Sequence, residues 1–247
     1  MNFAGLPLID RIITFSWYYV RKYFGHTYPK LFDKQDEGFE DQFREFVFRE
    51  LKAITVSETH DLGFGKSLES LSGLAHEIDL IARWDGLVVV FELKNCTVDK
   101  TMVLNFQQKC LDYFLENVHV LKETCLERVF LTNSTITDIR IRSFCLIWGI
   151  RLVDFSQVPL GQCKLWLENL SSNPDISDRY KDQIEHLSSE IQYLEDNVHT
   201  DMNHIFRRND ELTFEMSPNI SAPVNDLVTK QSEISTILKS LMKGPIA

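Results

Sequence analysis

HEIDLIARWDGLVVVFELKN, residues 76–95, sets three charges inside two runs that otherwise read as buried strands. HEIDLIAR and LVVVFELK are rich in Ile, Leu, Val and Phe, and Trp84-Asp85-Gly86 between them is a turn signal. The stretch therefore reads as a β-hairpin. Side chains alternate along a strand, so Glu92 and Lys94 share one face and Leu93 takes the other. Reflection about a midpoint near residue 85 sets Asp79 opposite residue 91 or 92. Two carboxylates and an ammonium thus converge on one patch. Neighbouring carboxylates repel unless something positive stands between them. A divalent cation such as Mg²⁺ fills that role, because it takes oxygen ligands and is held by one or two carboxylates together with phosphate. Lys94 would then orient an attacking water and stabilise charge on phosphorus. A structural ion pair is the alternative, but three charges on an apolar patch carry a large desolvation cost.

Outward from the hairpin, helices are expected over 6–24 and 39–54. In the second, Phe39, Phe43, Phe46, Val47, Leu51 and Ile54 recur at helical spacing. YPKLFDKQDEG between them reads as a loop. TVSETHDLGFGKSLESLSGL is polar and Gly-containing, a loop with room for a short strand. Beyond the hairpin the pattern predicts a helix over 100–117, a strand over 127–133, a helix over 137–148 and a strand over 150–155. Strands alternating with helices in this way make a mixed sheet with helices on its faces. After about residue 160 the character changes. Ile184, Leu187, Ile191, Leu194, Val198 and Ile205 follow a coiled-coil-like spacing that breaks at Asp201. SPNISAP (217–223) reads as a linker, and 224–242 as a last amphipathic helix through Leu227, Ile234, Leu238 and Leu241. Three uses of these helices stay open: packing on the chain's own body, homodimerisation, or docking onto a partner protein. The division expected is an N-terminal helical extension (1–35), a core (36–160) and a C-terminal helical region (161–247).

Composition narrows the class. The 247 residues are 44% hydrophobic with 17 Phe, enough for a packed core. The formal charge is -10, so bulk charge does not advertise a nucleic-acid binder. Residues 1–160 carry 18 Lys/Arg against 22 Asp/Glu, and residues 161–247 carry 8 against 14. Acids in the first part that ligate a cation would have their charge offset by it. Cys96, Cys110, Cys125, Cys145 and Cys163 are odd in number and lack a CxxC pair, the pattern of reduced thiols in a cytoplasmic protein. The N-terminal segment carries Asp10, Arg11, Arg21 and Lys22, which fits neither a signal peptide nor a membrane span. Gly65-Lys66-Ser67 echoes a phosphate-binding loop, but His60 stands where that loop needs a small residue, so no nucleotide site is expected. Lys66 reads better as a phosphate contact, with Lys52, Arg83, Lys100 and Lys109 as a basic rim. His76 faces away from Asp79 by alternation and reads as an ordinary histidine.

Asp79, a gap of twelve residues, then Glu92-Leu93-Lys94 resembles the signature of the PD-(D/E)XK nuclease superfamily. The order of elements over 36–155 is similar to its restriction-endonuclease-like core, close to the Mrr-like branch. FLTNSTITDIRIRSFCLIWGIRLVDF (130–155) resembles its closing strand–helix–strand. The resemblance implies metal-dependent hydrolysis of phosphodiester bonds, usually in DNA, leaving 5′-phosphate and 3′-hydroxyl ends, with defence against foreign DNA as its setting. It further implies that Asp79, Glu92 and the Leu93 carbonyl hold one or two Mg²⁺ or Mn²⁺, and that the preceding helix adds an acid. On a helical wheel Glu40 lies within roughly 50° of the centre of the apolar stripe and Glu50 within roughly 30°, whereas Glu45 is opposite. Gly38-Phe39 before it resembles the family's start to this helix, which favours Glu40. Relatives carry Gln and Tyr four apart on the helix after the hairpin; here Gln108 and Tyr113 are five apart, leaving Gln108 to orient Lys94 or contact phosphate. The other class of function is a non-catalytic subunit whose nuclease fold serves binding or assembly.

Overall fold

The computed structural model describes residues 5–24, 37–57, 76–116, 125–198 and 224–242 of the chain. Its centre is β3 (Leu87–Lys94), a valine-rich run buried along all but its last residue. That is the pattern of a strand covered on both faces. β2 (Leu80–Trp84) pairs antiparallel with it, from Trp84 opposite Leu87 to Leu80 opposite Phe91. Between them Gly86 adopts φ 69°, a left-handed conformation that costs glycine little. β1 (Thr55–Ser57) adds antiparallel to the outer side of β2. β4 (Cys125–Thr132) and β5 (Ile150–Val153) continue the other side in parallel, giving the order β1-β2-β3-β4-β5. Parallel neighbours need crossovers, and α3 (Lys100–Glu116) and α4 (Ile139–Ile147) supply them. The expected class, a mixed α/β sheet flanked by helices, is the one observed.

Alternation along β3 divides the core. Leu87, Val89, Phe91 and Leu93 join Val129 and Leu131 on one face, under α1 (Leu8–Phe24) and α2 (Glu37–Arg49). Val88, Val90 and Phe130 face the other way, against Val103, Phe106 and Cys110 of α3 and Ile141 and Cys145 of α4. Phe43 of α2 sets its ring edge-on to Phe91, with centroids 5.2 Å apart. α2 is shorter than its periodicity predicts, stopping at Arg49 where the spacing runs on to Ile54. Lys52 takes a left-handed φ of 56°, and the amides of Leu51 and Ala53 reach back to the carbonyls of Phe46 and Val47. Such a cap satisfies the last carbonyls without another helical turn. Leu51 and Ala53 are buried all the same, so the apolar spacing outlives the helix, whereas Ile54 is left exposed.

The C-terminal third builds outward from α1. α5 (Leu160–Ser171) lies on α1, and α7 (Lys181–Val198) and α8 (Val224–Met242) lie on α5, with α8 also against α4. A short turn, α6 (Pro174–Ser177), links α5 to α7. Ile184, Leu187, Ile191 and Leu194 of α7 and Leu227, Ile234 and Leu238 of α8 are buried in the same cluster as Val89 and Phe91. Their apolar stripes are thus spent within the chain. Ion pairs Lys164–Glu195 and Lys230–Glu190 bind α7 to α5 and to α8. Ser143 of α4 donates to Asn225 Oδ1 of α8 at 2.6 Å. The expected break at Asp201, Ile205 and the linker 217–223 lie outside the described residues. No helix among those described is long and apolar enough to cross a membrane.

The contact of α5 with α1 depends on Gly161. A Cβ there would stand 2.7 Å from Thr14 Oγ1 and 3.3 Å from the Asp10 carbonyl. Gly161→Ala should therefore cost about 1–3 kcal/mol through overpacking. Adding Thr14→Ala should return part of that loss, because the nearer obstacle is a side chain. Urea unfolding midpoints of the two single variants and the double variant check both expectations.

Candidate metal centre

The site sits where β2 begins and β3 ends. Extending the ladder one step past Leu80–Phe91 sets Asp79 opposite Glu92, within the range read from the hairpin. Asp79 occupies a bend just before β2. Its Oδ2 accepts the Leu93 amide at 2.7 Å, so a carboxylate prolongs the hairpin beyond its last backbone pair. Glu92 and Lys94 stand on the Val88–Val90 face, beneath α3. The carboxyl end of β3 lies beside that of parallel β4, a place where α/β sheets commonly gather ligands.

One atom ties the site together. Lys94 Nζ is 2.9 Å from Glu92 Oε1, 3.3 Å from Asp79 Oδ2 and 3.2 Å from the Leu93 carbonyl oxygen. Three oxygens, two from β3 and one from the bend before β2, thus surround a single cationic nitrogen. Two carboxylates and a carbonyl are hard donors suited to Mg²⁺ or Mn²⁺, and all three already converge on one point. Glu92 is 3% exposed and Lys94 26%. Burial alone would depress the Lys94 ammonium, but Glu92 and then Asp79 pull the other way and prevail, raising its pKa above the usual lysine value.

Glu92 has a second partner. Lys109 of α3 donates to Oε1 at 3.1 Å and to Oε2 at 3.3 Å. Its neighbour Gln107 is buried and accepts from the buried Arg128, which also donates to the Trp148 carbonyl. Gln108, by contrast, lies on the solvent-facing side of α3 with Thr101, Leu104 and Asn105. Glu40 is half-buried on α2, one turn before Phe43, and that helix packs on the Phe91 face, opposite Glu92 and Lys94. Among the described residues no group of three or more His, Cys, Asp or Glu could hold a metal, so Glu40 does not complete a three-acid set here. Glu50 and Glu45 are exposed, the latter paired with Arg49 at 2.7 Å. Lys66 lies outside the described residues. Of the expected basic rim, Lys52, Arg83 and Lys100 are exposed, while Lys109 has turned inward.

Three polar contacts hold the strand ends in place. His76 Nε2 lies 2.5 Å from Asp112 Oδ2, anchoring the segment before Asp79 to α3. The Asn133 side-chain amide donates to Asn95, and Thr132 Oγ1 donates to the Cys96 carbonyl at 3.3 Å, fastening the exit of β3 to that of β4. Sequence reasoning set Lys109 on the basic rim and so missed its bond to Glu92, and it missed the His76–Asp112 pair. The signal available was the stripe Val103, Phe106 and Cys110, which turns Lys109 toward the sheet without saying which acid it meets.

Charged clusters elsewhere are closed. A cleft between β5 and the helices is lined by Asp10, Arg142, Arg151 and Gln157. Arg142 pairs there with Asp154 at 2.6 Å, and Arg151 with Glu127 at 3.2 Å. Burial pushes the thiols of Cys110, Cys145 and Cys163 up to about 12, which removes them as nucleophiles near neutral pH.

No family profile matches the sequence, and no curated protein is significantly similar to it. Among solved structures, the small subunit of a heterodimeric restriction endonuclease is similar, with a TM-score of 0.39 and 10% identity over 92% of this chain and 98% of that one.

The raised Lys94 pKa sets a pH dependence. A lysine whose pKa is higher folded than unfolded adds stability that is complete below the unfolded value and is lost as pH rises through the folded one. As pH rises above the ordinary lysine value of about 10.4, the chain should therefore lose stability more steeply than a Lys94→Met variant. Urea midpoints measured across that range give the comparison, and parallel curves would contradict it.

Proposed function

We propose that this chain is a metal-dependent nuclease of the Mrr-like restriction-endonuclease type, hydrolysing phosphodiester bonds in DNA in defence against foreign DNA. What supports the reading is one observation: a single ammonium touches Asp79, Glu92 and the Leu93 carbonyl, the donor set the resemblance assigns to Mg²⁺ or Mn²⁺. A divalent ion bound among these oxygens would polarise the phosphate and acidify a water molecule. The chain's own residues do the rest. Asp79, fixed by the Leu93 amide, and Glu92, fixed by Lys109, present oxygens that need little rearrangement. Lys94 has to release those oxygens, and its ammonium then becomes free to hold the attacking water and to balance charge growing on phosphorus. Glu40 from α2 enters this proposal as the further metal-binding acid that the resemblance implies, and Gln108 and Lys66 as phosphate contacts.

A second reading is favoured by the charge balance. Two ammoniums already neutralise the two carboxylates, as they would in a non-catalytic subunit that binds nucleic acid or a partner protein. A plasmid assay separates the two. With Mg²⁺ or Mn²⁺ the chain should nick supercoiled DNA, and Asp79→Ala, Glu92→Ala and Lys94→Ala should each slow nicking by at least about 100-fold. Lack of metal-dependent nicking, or nicking indifferent to all three substitutions, would favour the binding role.

A further inference from the structure

Glu92 is held by two ammonium groups, and only Lys94 belongs to the motif that reveals the site. Lys109 arrives from α3 and straddles the carboxylate, 3.1 Å from Oε1 and 3.3 Å from Oε2. Lys94 touches Oε1 alone and reaches on to Asp79 and the Leu93 carbonyl. The two nitrogens thus do different things. Lys94 bridges Glu92 to Asp79, which lies just before the first strand of the hairpin, whereas Lys109 caps Glu92 from the helix above. Sites that employ two metals set them about 3.5–4 Å apart, commonly across one carboxylate. On Glu92 the outer place is taken by an ammonium that is tethered to a packed helix by Phe106 and Cys110 on the same face. A tethered charge at that distance repels a second dication strongly in a site with so little solvent.

Resting on the nuclease reading above, we propose that Lys109 stands in for a second metal ion: the site takes one divalent cation, on the Asp79 side of Glu92, and Lys109 is the positioning residue that keeps Glu92 turned toward it.

Counting bound Mn²⁺ on the full chain by electron paramagnetic resonance and calorimetry tests this. The wild type should bind one Mn²⁺ that is lost in Asp79→Ala. Lys109→Met should take up a second, and Lys109→Arg should return the count to one. Lys109→Gln, which keeps a hydrogen-bond donor without the charge, serves if the Met variant fails to fold, and it too should bind two. Two ions on the wild type, or one on the folded Met or Gln variant, would overturn the assignment of Lys109 while leaving the metal centre intact. A wild type that binds no Mn²⁺ would bring down both readings together.

Discussion

The Lys94 ammonium between Asp79 and Glu92 is the contact on which this structure turns. Each charge in the trio is tolerable only because of the others. Glu92 lies in a strand whose neighbours are Val, Phe and Leu, where an isolated carboxylate would be far too costly to desolvate. Asp79 stands at a strand end, and a second acid beside Glu92 would add repulsion. One cation in contact with both removes that repulsion, the Leu93 amide adds a second bond to the same Asp79 Oδ2, and Lys109 reaches the other oxygen of Glu92. Removing any one partner would leave the rest buried and unbalanced, which is why such clusters are held together so tightly.

The fold serves this arrangement by dividing its labour between the two faces of the sheet. The Phe91 face is almost wholly apolar and carries most of the packing, from Phe43 and Tyr19 inward through α1 to α5, α7 and α8. Its burial provides stability that the polar face does not have to supply. The opposite face has apolar residues at its centre, Val88, Val90 and Phe130 under Phe106, and turns polar toward the carboxyl ends of β3 and β4. There the charges meet α3, and Lys94 keeps partial access to solvent.

How much of this could be read beforehand follows from the range of the forces involved. The hairpin, its turn and the approach of Asp79 to Glu92 rest on period-two alternation and a glycine turn, both local, and they were legible to within one residue. α8 was legible to its ends, since Val224–Met242 is bounded by a proline before it and a glycine after. The end of α2 was not, because Leu51 is buried in a helix and equally in the left-handed cap that Lys52 makes. Lys109 was taken for a rim charge because α3 could be drawn as a helix from its pattern, but its rotation about its own axis is set by Phe106 meeting Phe130 across the sheet. The same rotation sends Gln107 inward to Arg128 and Gln108 outward. A twist of one residue separates the two glutamines, and nothing local chooses between them.

That rotation also decides what the site can do. Had α3 turned Gln108 inward, Glu92 would have met a neutral amide, and the patch would hold two negative charges against one positive. With Lys109 inward the count is two against two, and the unliganded arrangement is electrostatically complete. A centre balanced in this way does not have to be unstable in order to be ready. If the site takes a divalent ion as proposed, that ion would be held by the three oxygens that Lys94 now contacts, with Lys109 still on Glu92. The change would then be of one cation for another at a fixed set of donors.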